Sequence, residues 1–312
     1  MTKSSDIFQS FFSYNKPVIN KKEINCLINQ GFVVLKRNKK YWDSLNINIE
    51  KVKNVVEKEI ENFEVKPESY RKIDHTYRYE EGTNRLSNIL SKDKIFYNFI
   101  NIPDVLYCVK EILGKNFRLS SLGMREPLKN AGYQGLHIDW QQRKNIKSSF
   151  FQVTAFILLD KVTKSNGALR VIPKSHYKLI NISSTSSFKN KRKTEDHKLL
   201  EKEDKFNAKY ITGNKGDIII LNVNAFHGGS KNINGKRRRV IVADYRISSE
   251  RAQVDQDKAI PKILHANFNN FQRKILDLEE KSFIEKLKRW VYNNRRNKYI
   301  SVMIKLKSLL RL

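Results

Sequence analysis

The stretch Tyr133-Gln-Gly-Leu-His137-Ile-Asp139-Trp140 carries an imidazole and a carboxylate two residues apart. On an extended segment such residues share a face, so both side chains can grip one metal ion. A third donor stands far downstream at His227, in Asn222-Val-Asn-Ala-Phe-His227-Gly-Gly-Ser230. Two histidines and one aspartate make the facial triad of non-haem Fe(II) oxygenases, which leaves further coordination positions open for substrates. A His-X-Asp motif also recurs by chance. Its plain reading is a strand-end pair bonded to backbone, and that of His227 is a loop histidine packed on Phe226. The surrounding sequence separates these readings.

Soon after the His-X-Asp comes Thr154-Ala-Phe-Ile-Leu-Leu-Asp160, then Asn166-Gly167-Ala-Leu-Arg-Val-Ile-Pro173-Lys-Ser175-His176. Here the chain resembles the phytanoyl-CoA dioxygenase family of Fe(II)/2-oxoglutarate oxygenases. Members of that family pair a His-X-Asp strand with a strand ending in an acid, an Asn-Gly-Ala/Cys-Leu turn and a Pro-Gly-Ser-His element. Lys174 stands where the family usually has Gly. The family's distal histidine is followed at the fifth position by Asn and at the eleventh by Arg, places that Asn232 and Arg238 occupy after His227. The resemblance spans roughly residues 20 to 250, its early part carried by the weaker Glu23 to Leu35 pattern.

The resemblance implies that His137, Asp139 and His227 hold Fe(II), with 2-oxoglutarate and O2 as cosubstrates and ascorbate as a stimulant. It implies oxidative decarboxylation to succinate and CO2, coupled to hydroxylation of an unactivated C–H bond in a small-molecule, lipid or glycan-precursor substrate. Related halogenases have a small residue where Asp139 stands, so hydroxylation is the expected outcome. Arg238 is expected to hold the far carboxylate of 2-oxoglutarate, since a guanidinium can donate two parallel hydrogen bonds to it. In Lys236-Arg237-Arg238-Arg239 any arginine could face inward, and the eleven-residue offset selects Arg238. Thr154 and Phe156 share a face of their strand and are candidates to wall the cosubstrate pocket, beside a plain core role. Gly229 replaces the hydroxyl residue that the family often has two places after the distal histidine, and Ser230, one place later, is the substitute candidate. His176 is assigned to structure.

The elements that must position these residues follow from periodicity. Lys21 to Gln30 reads as a helix closed by Gly31, leading into the strand Phe32-Val-Val-Leu-Lys. Trp42 to Phe63, Ser87 to Ile100 and Pro103 to Leu113 read as helices, and Tyr70 to Asn84 as a charged, tyrosine-rich loop. From Asn116 the period changes: Phe117 to Arg125, Tyr133 to Asp139, Phe150 to Leu159, Ala168 to Ile172, Ile218 to Asn222 after a Gly216-Asp217 turn, and Arg237 to Ile247 read as strands separated by turns. A mainly β domain with flanking helices is expected, its core a double-stranded β-helix of the jelly-roll and cupin kind. The expected organisation is a loose arm over 1–20, an oxygenase domain over 21–260 with its β core at about 116–250, and a tail over 261–312. Residues 179 to 209, rich in Ser and Lys, read as a polar insertion.

The tail from Lys281 sets Phe283, Ile284, Leu287, Trp290 and Val291 at helical spacing among Lys and Arg, with Glu285 its one acid. It reads either as a basic amphipathic segment that docks on an anionic membrane surface or as helices packed on the barrel. The chain has 61 Lys+Arg against 32 Asp+Glu, a formal charge of +29. Abundant Lys, Asn and Ile also follow from an A+T-rich genome, so charge alone does not name a partner. A basic nucleic-acid-binding protein is the alternative class, but the basic residues do not interleave with aromatics in any recognised binding module. A non-catalytic member of the fold is a third, disfavoured by the intact metal and Arg residues. Two cysteines, Cys26 and Cys108, are too few for a disulfide framework or a zinc site. With neither a signal peptide nor an apolar run of membrane length, a cytoplasmic protein is expected, peripheral to the membrane if the tail docks.

Overall fold

The computed structural model of the chain describes residues 4–61, 82–139, 150–177 and 207–279. Its strands are β1 (Phe32–Leu35), β2 (Thr83–Leu86), β3 (Phe117–Pro127), β4 (Gln152–Leu158), β5 (Leu169–Val171), β6 (Lys209–Ile211), β7 (Ile218–Asn222), β8 (His227–Gly229) and β9 (Val240–Ile247). Six form an antiparallel sheet in the order β1-β7-β4-β9-β3-β2, and three form a smaller one in the order β6-β5-β8. This is the jelly-roll core that the strand and turn pattern leads one to expect.

Alternation decides which residues of the larger sheet face the smaller one. Phe156 and Leu158 of β4, Ile219 and Leu221 of β7, and Val240 and Val242 of β9 join Leu169, Val171 and Ile211 in one apolar cluster between the sheets. Period two then turns Val153, Ala155, Ile157, Ile218, Ile220 and Ala243 outward. There α2 (Lys21–Gln30) and α5 (Pro103–Leu113) cover them with Leu27, Leu106 and Val109. A sheet buried on both faces explains why β4 and β7 read as continuous apolar runs.

The helix α2 opens with a capping box between Asn20 and Glu23 and closes at Gly31, whose φ of 85° suits glycine. The expected single helix over Trp42 to Phe63 is instead two, α3 (Lys39–Ser44) and α4 (Ile49–Glu61). Asparagines divide them: Asn46 takes a φ of 54°, and the side chains of Asn38 and Asn48 accept from the backbone N–H of Tyr41 and Lys51. Such side chains compete with helix continuation and favour caps. Ser87 to Ile100 likewise forms two 3-10 stretches, Ile89–Ser91 and Lys94–Asn101, set off by Asn88 at φ 48° and by Asp93, which caps Ile95.

The expected loose arm is also corrected. Ser4–Tyr14 is a helix, α1, and Phe8 and Phe11 are buried. The chain continues past β9 into α6 (Gln256–Ala259) and α7 (Asn270–Ile275). Phe11 stacks on Phe271 of α7 with centroids 4.0 Å apart, and Phe8 lies 4.9 Å from Phe117. Behind α1, Val18 N and Ile19 N donate to Asp104 Oδ1, and Arg37 Nε donates to Asp104 Oδ2 at 2.6 Å, which satisfies a fully buried charge. Residues 261–277 thus belong with the barrel, although sequence placed them in the tail. The basic stretch from Lys281, the polar insertion up to residue 206 and most of the Tyr70 to Asn84 loop lie outside the described residues. No helix among the described residues is long and apolar enough to cross a membrane.

Candidate metal centre

The Tyr133 to Asp139 segment, expected as a full strand, makes one isolated bridge, between His137 and His227. It runs antiparallel to β8: His137 N donates to His227 O at 2.8 Å, His227 N to His137 O at 2.9 Å, and Gln134 N to Gly229 O at 2.9 Å. The two glycines after His227 permit this approach. A Cβ on Gly228 would lie 2.5 Å from the Gln134 carbonyl oxygen, and one on Gly229 would lie 2.7 Å from that of Gly132. Close backbone contact is what glycine offers here, and it also explains the missing hydroxyl residue at position 229.

Through this pairing one ligand atom each from His137, Asp139 and His227 falls within 4.8 Å of the others. Asp139 Oδ1 lies 3.2 Å from His137 Nε2, and its Oδ2 lies 3.5 Å from His227 Nε2. His137 Nδ1 sits 2.8 Å from the Gly135 carbonyl and His227 Nδ1 sits 2.8 Å from that of Ala225. A carbonyl can only accept, so each Nδ1 carries a proton and each Nε2 is the nitrogen turned toward the aspartate. That is the tautomer a metal-binding histidine needs, held by a backbone partner.

Burial opposes charge on His137, but the hydrogen bond and charge of Asp139 outweigh it and raise its pKa. Burial would likewise raise the Asp139 carboxyl, yet the two imidazoles hold it well below the usual carboxylate range. The pocket is therefore built to keep positive charge against an ionised aspartate. A divalent cation fits that demand with the same three donors.

Residues that sequence did not single out fix this arrangement. Arg170 of β5, 1% exposed, donates through Nη2 to the carbonyls of Gln134 (2.5 Å) and Gly229 (3.1 Å), tying the ligand segment to β8. Its guanidinium carbon lies 4.8 Å from the Tyr133 ring centroid. Gln134 Oε1 accepts from Arg125 Nη1 at 3.0 Å and from Gly229 N at 3.3 Å. Ser175 Oγ accepts from Phe226 N at 2.8 Å, and His176 Nε2 lies 2.9 Å from the Ile28 carbonyl. The Pro173 to His176 element thus clamps the turn that presents His227 onto α2, and His176 stays out of the metal group, as sequence assigned it.

Lys174 explains why its position favours glycine, because its φ is 65°. A left-handed conformation costs a residue with a Cβ roughly 1–2 kcal/mol, partly offset by the extra unfolded-state freedom of glycine. Lys174→Gly is expected to stabilise the fold by about 0.5–1 kcal/mol in urea unfolding; a loss of stability would show that Lys174 makes a compensating contact.

The three arginines before β9 divide by alternation. Arg237 pairs with Glu126 and, at 2.9 Å, with Glu57; Arg239 pairs with Asp160 and Glu57, both at 2.8 Å. Arg238, 6% exposed, lies on the parity of Val240 and Val242, which face the barrel interior. Thr154 and Phe156 share that interior face, where Thr154 Oγ1 donates to Asp244 Oδ1 at 2.5 Å. Ser230 Oγ donates to the Ala168 carbonyl at 2.8 Å. Asn166 and Asn232 are loop ties: Asn166 Oδ1 accepts from Thr163 N, and Asn232 Nδ2 donates to the Pro127 and Lys236 carbonyls.

The family model described as phytanoyl-CoA dioxygenase (PhyH) matches residues 19–240. Among solved structures the chain is similar to HygX from Streptomyces hygroscopicus with nickel and 2-oxoglutarate bound, with TM-score 0.56 and 13% identity over 75% of this chain and 90% of that one. It is also similar to EctD from S. alaskensis with bound Fe, with TM-score 0.55 and 16% identity over 77% and 82%. At these identities the likeness establishes the fold. No curated protein matches the chain.

Proposed function

The chain belongs to the phytanoyl-CoA dioxygenase family and is a 2-oxoglutarate-dependent non-haem iron dioxygenase, and we propose that it hydroxylates a C–H bond of a small molecule at a metal held by His137, Asp139 and His227. The observation that carries this reading is the convergence of two backbone-locked imidazoles and one carboxylate within 4.8 Å at the edge of the barrel. That the similar HygX structure holds nickel with 2-oxoglutarate, and the EctD structure Fe, supports a metal and 2-oxoglutarate here.

Bound Fe(II) supplies O2 activation coupled to decarboxylation of 2-oxoglutarate. The chain's own residues do the rest. Asp139 balances the cation's charge, and the Gly135 and Ala225 carbonyls keep both rings in the ligating tautomer. The two histidines come from neighbouring antiparallel segments, and with Asp139 they are the residues that would hold the cation. Arg238, buried on the parity of the interior face, is the residue to hold the distal carboxylate of 2-oxoglutarate. Phe156 and Val242, opposite each other on β4 and β9, make the interior face beside these groups apolar, which disfavours water there.

Purified protein supplied with Fe(II), 2-oxoglutarate and air is expected to form succinate and CO2 in equal amounts. With its substrate present, turnover rises and the product gains one oxygen atom by mass spectrometry. Iron-loaded protein that forms no succinate, alone or with cell extract, would end this reading.

A further inference from the structure

We propose that Asp244 is the substrate anchor of this site and that the substrate presents a protonated amine to it. This rests on the reading of the barrel interior as the reaction chamber. Going along the inner face of β9, the residues are Arg238, Val240, Val242, Asp244 and Arg246. The chain leaves His227, runs along β8, turns through Asn232 to Gly235 and returns along β9, so Arg238 lies at the end of the barrel away from His227. Asp244 lies six residues further on, about 20 Å at 3.3 Å per residue, toward the end that His227 occupies.

Strand register agrees. Asp244 is opposite Thr154, Thr154 is opposite Leu221, and the backbone of Val223, two residues past Leu221, accepts from Asp139 N at 3.4 Å. Asp244 and Asp139 therefore stand at one end of the barrel. With the cosubstrate between Arg238 and the metal, Asp244 falls on the side left for the substrate.

The surroundings of this carboxylate identify what it would bind. Oδ1 accepts from Thr154 Oγ1 at 2.5 Å and from Gln152 Nε2 at 3.3 Å, and Oδ2 accepts from Ser121 Oγ at 2.7 Å. All three donors are neutral. A carboxylate has about four acceptor positions, so the remaining one is on Oδ2. Among the described residues no Lys, Arg or His nitrogen comes within ion-pairing distance of Asp244.

That is unusual in this chain. Asp104 has Arg37, Asp160 has Arg239, Glu126 has Arg237 and Asp217 has Lys36. Arg246, next on the same face, donates instead to Gln152 Oε1 at 2.5 Å and to the Arg251 carbonyl at 2.9 Å. In a protein with 61 Lys+Arg, a half-buried carboxylate oriented by three neutral donors and left without a cation among the described residues is an opening for a cation from outside. Charge complementarity of this kind selects an amine over an isosteric alcohol.

The test uses the full chain loaded with Ni(II) and 2-oxoglutarate, which fills the metal site without turnover. Binding of n-butylammonium and of n-butanol is measured by ligand-observed NMR. Wild type is expected to prefer the ammonium probe about tenfold, the scale of one charge-assisted hydrogen bond, and Asp244→Asn to bind both equally. Asp217→Asn, at a carboxylate beyond the far end of β4, where Leu158 N donates to the Asp217 carbonyl, keeps the preference. Asp244→Ser, which still offers the three donors an acceptor, takes the place of Asp244→Asn if that variant does not fold. Equal binding of the two probes by wild type, or a preference that survives in the Asp244 variant, would overturn the proposal. Succinate formation by wild type is followed in parallel with Fe(II). Its absence counts against the oxygenase reading, whereas probe preference alone decides the anchor.

Discussion

Asp139→Ala is expected to fold, to bind Fe(II) more than about 100-fold more weakly than wild type and to form no measurable succinate. The size follows from what remains. Loss of an outer partner of a metal ligand already costs 10–100-fold in affinity, roughly, and here the only anionic ligand itself is removed. His137 and His227 would face the cation as neutral donors, with nothing to balance its charge. The fold should survive because the ligand segment is held by backbone pairing with β8 and by Arg170, not by the aspartate side chain. His227→Ala should behave alike.

His176→Ala separates a ligand from a structural histidine. It loses the bond to the Ile28 carbonyl and should lower stability by about 1–3 kcal/mol, while iron binding stays near wild type. Anaerobic equilibrium dialysis with Fe(II) and thermal unfolding measure the two quantities. Wild-type iron affinity in Asp139→Ala, or its loss in His176→Ala, would mean that the ligands have been misassigned.

The meeting of His137, Asp139 and His227 was legible in the sequence because coordination restricts residue type and because His-X-Asp fixes a shared face wherever the chain is extended. The fold class was legible too, since the change from helical to alternating period at Asn116 marks the start of β3 nearly to the residue. What escaped depended on partners far away. The α1 helix exists because Phe8 and Phe11 find Phe117 and Phe271, contacts that no local window contains. The break between α3 and α4 depended on Asn46 taking a left-handed φ, where the flanking periodicity runs through. Arg125 and Arg170 are two basic residues among 61, and only the barrel shows that they meet Gln134. The inward arginine could not be found by alternation either. Val240, Ile241 and Val242 are all apolar because both faces of β9 are covered, so no period-two signal survives to mark a parity.

Arg238→Ala is expected to raise the 2-oxoglutarate requirement about 30- to 1000-fold, the equivalent of about 2–4 kcal/mol for a lost bidentate charged contact. Parity separates it from its neighbours. Arg237→Ala would strand Glu126, 1% exposed by its side chain, beside a broken pair, and a buried carboxylate without its partner costs about 3–5 kcal/mol of stability. Arg239→Ala removes the fork that grips Asp160 through Nε and Nη2. Both variants should therefore unfold at lower urea concentration with 2-oxoglutarate affinity within about threefold of wild type, since their guanidiniums point away from the barrel interior. For Arg238→Ala the larger effect should be on 2-oxoglutarate binding. Arg238→Lys should recover only part of the loss, because a lysine ammonium offers a point charge where the carboxylate needs a planar fork. Direct binding of 2-oxoglutarate to the Ni(II)-loaded variants, read beside the apparent KM, separates a cosubstrate contact from a catalytic one. If Arg239→Ala or Arg237→Ala weakens 2-oxoglutarate binding while Arg238→Ala does not, the strand enters the sheet one residue out of the register on which the interior face rests.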